Sequence, residues 1–264
     1  MIPAMARPSV SLVIPMYNEE LNITHAIAAA VEALERHAGD YEIIVVDDAS
    51  TDASPRILAA LAEENRRIRV LRHDRNRKLG ATLRTGFSAA TKDLVFYMDA
   101  DIPFDPDVLG RAVRAMEITG ADVIAAYRHD RTMEGLRRGI YTLAYNSLIG
   151  MLFGWPHRDI NFSFKLMKRE VLETIVLKSE GSLIDAELIV KAKNHGFAIQ
   201  QIGIDYFPRL RGQSHLSSFG VILKILRELI WLYPEMRKRG TRPPRAARPR
   251  QAEEIREAAD EPAR

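Results

Sequence analysis

Three short apolar runs limit what this chain can fold into. Each ends in polar or acidic residues, and helical sequence separates it from the next. The runs are Val10-Ser11-Leu12-Val13-Ile14, Tyr41-Glu42-Ile43-Ile44-Val45-Val46 and Leu94-Val95-Phe96-Tyr97-Met98. Runs of this length, rich in β-branched and aromatic residues, read as buried strands. Around them the pattern predicts helices at 22–38, 55–65 and about 80–90, with strands at 41–47, 68–72 and 94–98. A helix at 105–119 and a strand at 121–126 continue the alternation. That order predicts an α/β domain with a mostly parallel sheet and helices on both faces. In open α/β sheets, ligands bind at the carboxyl ends of the strands. The residues that close the three runs are therefore the candidates for chemistry.

Asp99 and Asp101 close the third run, one residue apart. Carboxylates at i and i+2 on an extended strand point the same way. At a strand end they can hold one hard cation between them. Mg²⁺ and Mn²⁺ take oxygen ligands, commonly one or two carboxylates plus substrate phosphates. The expected ligand is a metal-bridged nucleotide diphosphate. The simpler alternative is a turn or a helix cap. Asp47 and Asp48 close the second run, ahead of Ala49-Ser50-Thr51-Asp52-Ala53-Ser54-Pro55, a loop with helix-start chemistry. Capping accounts for Asp52 or Ser54, but not for two adjacent acids at the strand end. The first run passes through Pro15, Tyr17, Asn18 and Glu19 into a helix near Asn22.

Taken together, Val13-Ile14-Pro15-Met16-Tyr17-Asn18-Glu19, Val46-Asp47-Asp48-Ala49-Ser50-Thr51-Asp52 and Met98-Asp99-Ala100-Asp101 resemble the blocks of family 2 glycosyltransferases of GT-A fold, in order and spacing. The resemblance spans residues 9–235. It implies a single GT-A domain over that range. It also implies a nucleotide site of Pro15, Tyr17, Asn18, Glu19, Asp47, Asp48, Asp99, Ala100 and Arg128, with Asp99 and Asp101 on Mg²⁺ or Mn²⁺. In the second half, Asp159-Ile160-Asn161-Phe162-Ser163-Phe164-Lys165-Leu166-Met167-Lys168-Arg169 looks like the acceptor-side motif of polyprenol-phosphate sugar transferases, such as the dolichol-phosphate mannose synthases. Glu180-Gly181-Ser182-Leu183-Ile184-Asp185-Ala186-Glu187-Leu188 resembles their acidic helix. Arg209-Leu210-Arg211-Gly212-Gln213-Ser214-His215 is similar to their basic loop. Ser163 stands where those enzymes usually carry Gly, His215 where they carry Lys, and Pro103 where some relatives place a Gln. The resemblance implies catalytic roles for Asp101, Asp185, Glu187 and Arg209.

The nucleophile decides which of these residues matter. A lipid monophosphate is largely ionised near neutral pH, its second pKa being about 6. It needs cations to position it, and Arg128, Arg138, Arg209, Arg211 and Ser214 are the expected set. A sugar hydroxyl must instead lose a proton, and Asp185 or Glu187 would serve as base. The family inverts at the anomeric carbon. The leading expectation is transfer of a sugar from a GDP- or UDP-sugar to a polyprenyl phosphate at a membrane surface. The alternatives are transfer to a hydroxyl and a non-catalytic nucleotide-binding module. A receiver-type signalling domain is excluded by the chain's length. A processive polysaccharide synthase is excluded by the lack of a Gln-x-x-Arg-Trp block.

Two segments bear on the membrane. Residues 139–156 carry no Asp, Glu, Lys or Arg, but Tyr141, Thr142, Tyr145, Asn146 and Ser147 make them less apolar than a span. They are expected to form an interfacial helix at 139–154. The second segment, 219–235, puts Phe219, Ile222, Leu223, Leu226, Leu229, Ile230 and Tyr233 at helical spacing, interrupted by Lys224 and Arg227. Residues 200–239 hold seven Lys or Arg against Asp205, Glu228 and Glu235. Basic residues beside an apolar helix attract anionic lipid by about 1 kcal/mol each. A core-packed helix is the alternative in both cases. The formal charge of +3 gives no reason to expect nucleic acid. With no cysteine, thiolate chemistry is excluded. Met1 to Pro8 lack the apolar segment of a signal peptide, so a cytoplasmic, peripherally bound enzyme is expected. Residues 240–264 turn to Pro, Arg, Ala and Glu without apolar periodicity and are expected to be a disordered tail.

Overall fold

A computed structural model describes residues 7–129, 136–154, 158–206 and 219–241. The basic loop with Arg209, Arg211, Ser214 and His215 lies outside the described residues, as do the side chain of Arg138 and the tail from residue 242. Seven strands form one sheet in the order β3-β2-β1-β4-β6-β5-β7. They are β1 (Ser9–Met16), β2 (Asp40–Asp47), β3 (Ile68–Arg72), β4 (Leu94–Tyr97), β5 (Val123–Arg128), β6 (Lys165–Lys168) and β7 (Ile199–Ile204). Strands β3, β2, β1 and β4 run parallel, and β5 runs parallel to β7. Only β6 is reversed within this sheet, pairing antiparallel with β4 and β5.

Alternation along the buried strands divides the apolar side chains between two layers. Leu12, Ile14, Ile43, Val45 and Phe96 face one layer. There they meet α1 (Ile23–His37), α2 (Ser54–Glu64) and α4 (Val108–Thr119). Val13, Ile44, Val46, Val95 and Tyr97 face the other, against α3 (Lys78–Ala89), the short α6 (Arg169–Thr174) and α7 (Ile184–Asn194). A side chain at Gly86 would collide with Val13, so the glycine is what lets α3 press onto β1. The remaining helices, α5 (Leu136–Phe153) and α8 (Phe219–Met236), join α7 in a third cluster. It is built from Ile149, Leu183, Ala186, Val190, Leu229, Leu232 and Met236.

Local chemistry sets the helix limits. Pro55 sits in the first turn of α2, where its missing N–H costs nothing. Gly120 ends α4 in the left-handed conformation at φ 68. Asp105-Pro106-Asp107 form a turn before α4, which starts three residues later than the pattern suggests. The following strand is displaced too: β5 runs to Arg128 rather than stopping at 126. That displacement puts Arg128 at a strand end, on the same side as the ends of β1, β2 and β4. No helix among the described residues is long and apolar enough to cross a membrane.

Candidate active site

The ends of β1 and β2 are laced together. The backbone N–H groups of Asn18, Glu19 and Glu20 donate to Ser50 Oγ, Ser54 Oγ and Asp52 Oδ2, at 2.9, 2.9 and 3.1 Å. In return Asn18 Oδ1 accepts from the Thr51 N–H, and Glu20 Oε2 from that of Ala53, both at 2.8 Å. Asp52 and Ser54 thus bridge two loops; α2 starts after Ala53 without a side-chain cap, and Asp52 Oδ1 accepts the Ser54 N–H at 2.9 Å. Asp47 is buried and accepts the Ser50 N–H at 2.9 Å. Asp48 is also buried. Its Oδ1 pairs with His73 Nδ1 at 2.6 Å and accepts the Arg77 N–H at 2.8 Å, and its Oδ2 accepts the Lys78 N–H at 2.8 Å. Asp48 therefore shapes the loop that leads into α3. Tyr17 stands exposed beside this frame.

Among the described residues, four non-glycine residues have positive φ: Asn18 at 55, Ala49 at 63, Lys78 at 68 and Ile102 at 43. Such conformations are uncommon outside glycine and cluster at functional sites. Here each lies just past β1, β2 or β4, or at the start of α3. All four surround the strand ends that carry Asp47, Asp48, Asp99 and Asp101.

A cavity of about 390 Å³ opens beside Asp99 and Asp101. Polar groups reach it from Arg128, Asn161, Ser163, Ser182 and Asp185. Its apolar wall is formed by Tyr141, Tyr145 and Leu148 of α5 and by Ile225 and Leu226 of α8. Arg128 forks onto Asp159, with Nε 2.7 Å from Oδ2 and Nη2 2.9 Å from Oδ1, and both residues are buried. Its guanidinium lies 5.4 Å from the Phe162 ring centre and 5.1 Å from that of Tyr206. A solvated surface arginine is thereby excluded.

Lys165 is 1% exposed and faces Tyr97 across the β4–β6 ladder. Its ammonium donates to Phe162 O at 2.7 Å and to Asp185 Oδ1 at 2.5 Å. Burial pushes the Asp185 carboxyl up, and Lys165 pulls it partly back. Tyr97 donates its hydroxyl to Asp99 Oδ1 at 3.1 Å. Burial, followed by the charge of Asp99, raises this phenol well above its ordinary pKa. In the sequence Tyr97 has no site role, and Lys165 appears only as a member of the acceptor-side motif. The only signal of their pairing is the antiparallel register of β6, which becomes visible once the sheet is assembled.

Glu187 does not reach the cavity. It is fully buried, accepts the N–H groups of Lys178 and Ser179 at 2.7 to 3.0 Å, and pairs with Lys191 at 2.6 Å. The expectation that it acts as a base gives way to a structural task, because its oxygens hold the 178–179 turn. Asp185, two residues earlier, does face the cavity.

Asp99 and Asp101 are not i and i+2 on an extended strand as expected, because β4 ends at Tyr97 and Ala100 and Asp101 lie in a turn. They still fit a hard divalent ion, as oxygen donors on one cavity wall. Among the described residues no third carboxylate or imidazole joins them to make a closed cage. An ion that also binds substrate phosphates needs that open coordination.

A family model described as Glycosyl transferase family 2 matches residues 11–176. The chain belongs to family 2 of the glycosyltransferases, and its single α/β domain has the GT-A fold. Among its relatives, glycosyltransferase AglD of Haloferax volcanii is 32% identical over 207 residues, 76% of this chain and 33% of AglD. An undecaprenyl-phosphate 4-deoxy-4-formamido-L-arabinose transferase of Photorhabdus laumondii is 31% identical over 66% of this chain and 53% of its own length. The chain thus spans a third to about half the length of these two relatives. Among solved structures, glucosyl-3-phosphoglycerate synthase of Mycobacterium tuberculosis, in complex with Mn²⁺, UDP and glucosyl-3-phosphoglycerate, superposes with a TM-score of 0.65. It is 19% identical, with coverage of 87% of this chain and 80% of that one.

Proposed function

We propose that this glycosyltransferase moves a sugar from a GDP- or UDP-sugar to a polyprenyl phosphate at a membrane surface, with inversion. One observation carries the reading. The cavity that begins at Asp99 and Asp101 is walled by apolar side chains of α5 and α8, and each of these helices also exposes several apolar residues to the outside. A lipid tail fits that wall, and a soluble sugar acceptor gives no reason for it. The naming of relatives as undecaprenyl-phosphate sugar transferases supports the same acceptor class.

In this reading the loops after β1 and β2, with the 73–78 loop braced by Asp48, hold the nucleotide. Asp99 and Asp101 hold Mg²⁺ or Mn²⁺, which supplies Lewis acidity toward the diphosphate leaving group. An acceptor phosphate oxygen attacks the anomeric carbon as the bond to the donor diphosphate breaks. The attacking oxygen is already ionised, so no base is needed. Arg128, fixed by Asp159, brings positive charge to the cavity wall. Arg138, Arg209, Arg211 and Ser214 complete the proposed phosphate set. Transfer to a sugar hydroxyl is the second reading, favoured by one feature: Asp185 faces the cavity with its carboxyl pushed up by burial, the direction a general base requires.

The test offers radiolabelled nucleotide sugars with undecaprenyl phosphate, or with undecaprenol and a soluble glycoside. Label should enter only the phosphate lipid. Asp101→Asn should abolish transfer by orders of magnitude. Asp185→Asn takes away the partner of the buried Lys165 ammonium and should lower the melting temperature together with activity, so the acceptor that takes the label separates the readings. Transfer to a hydroxyl acceptor would replace the leading reading with the second.

A further inference from the structure

Tyr97 is the last residue of β4 and is 1% exposed. Its ring packs edge-on against Phe87 with centres 6.3 Å apart, and the Lys165 ammonium lies 5.5 Å from its centre. Phenylalanine would meet those packing demands equally well. The hydroxyl adds a polar group in a dry place, where leaving it unsatisfied costs about 1–3 kcal/mol. Its hydrogen bond, at 3.1 Å, goes to Oδ1 of Asp99, two residues further along the chain. The ring cannot swing away, because β6 closes over it with Lys165 anchored to Phe162 O and Asp185.

We propose that Tyr97 is a positioning residue for the metal-binding carboxylate: its buried hydroxyl fixes the rotation of Asp99 toward the cation. The proposal rests on the reading that Asp99 and Asp101 hold a divalent ion. Carboxylate ligands are themselves held by hydrogen bonds from neighbouring groups, and losing such a partner typically costs about 10–100-fold in metal affinity or activity. Tyr97 is that partner on a rigid strand. Its own place is set by the buried Lys165–Asp185 pair, so the acceptor side of the cavity and the metal side share one support.

The experiment measures binding as well as turnover. Mn²⁺ is titrated by electron paramagnetic resonance in the presence of UDP and, separately, GDP, with wild type, Asp101→Asn, Tyr97→Phe and Phe87→Leu. Wild type should bind Mn²⁺ and Asp101→Asn should not. Tyr97→Phe should weaken Mn²⁺ about 10–100-fold, while nucleotide affinity without metal and the metal-free melting temperature stay near wild type. Phe87→Leu loosens the same packing without touching the hydroxyl and should leave Mn²⁺ affinity unchanged. If Tyr97→Phe binds Mn²⁺ like wild type, or if Phe87→Leu weakens it equally, Tyr97 is packing only and the proposal is wrong. If wild type binds no Mn²⁺, or Asp101→Asn binds it as well as wild type, the metal reading itself falls and takes this proposal with it.

Discussion

Asp48 has both carboxylate oxygens engaged by His73, Arg77 and Lys78, and none of those bonds leaves the protein. In the proposed reading, its influence on a nucleotide therefore runs through the 73–78 loop it holds. Asp48→Ala would leave two backbone donors and a buried imidazole without their partner, at about 1–3 kcal/mol for each buried group. The expected outcome is at least tenfold weaker nucleoside diphosphate binding by calorimetry, together with a lower melting temperature. Unchanged affinity would show that this loop is no part of the nucleotide site. The acids at strand ends are legible in the sequence because an apolar run ending in carboxylates is a local pattern. The pairing of Tyr97 with Lys165 is not legible, because only the reversed strand β6 sets them side by side. Residues two apart on a helix point about 200° apart, so Asp185 and Glu187 cannot share one face.

Among the elements, the join between α3 and the turn at 178–181 matters most for the site. Gly80 N donates to Glu180 O at 2.8 Å, and Arg84 donates to Ser179 O. On the far side of that turn, Glu228 of α8 accepts from the Ser179 hydroxyl and from the Glu180 and Gly181 N–H groups at 3.0 to 3.1 Å. The turn thus ties α3, which follows the 73–78 loop, to α8 of the cavity wall. A Cβ at Gly80 would run into the backbone of Ser179 and Glu180. Alanine gains up to about 1 kcal/mol in helix propensity over glycine. Overpacking against backbone costs about 1–3 kcal/mol. Gly80→Ala should therefore be destabilised by about 1–2 kcal/mol in urea denaturation, with transfer activity reduced. A more stable variant would show that the turn yields freely. The parallel half of the sheet follows from strand–helix alternation and short apolar runs. The reversal at β6 and the six-residue α6 do not, since a four-residue strand with three buried side chains looks alike in either direction.

For the whole molecule, α5 and α8 split the apolar stripe that their sequences present as one face. Leu229 is buried against α7, and Leu226 lines the cavity. Leu143 and Met151 of α5, with Leu223, Ile230 and Trp231 of α8, are exposed at 60 to 81%. Neither core helix nor spanning helix describes that division. In the proposed reading, these two helices rest on a bilayer with the cavity open to the lipid. Lys224, Arg227, Arg237, Lys238 and Arg239 are exposed on or just after α8, where anionic headgroups would attract them. Ile230→Ser with Trp231→Ser should release the protein from anionic vesicles at every salt concentration without unfolding it, because neither side chain is part of the core. Arg237, Lys238 and Arg239 replaced by Glu should weaken binding most at low salt, since screening already reduces their contribution at high salt. Leu229→Ser should unfold the third cluster instead. Vesicle flotation with circular dichroism separates these outcomes. If wild type fails to float with anionic vesicles even at low salt, the exposed apolar side chains have some other partner, and the lipid acceptor loses the surface that would deliver it to Asp99 and Asp101.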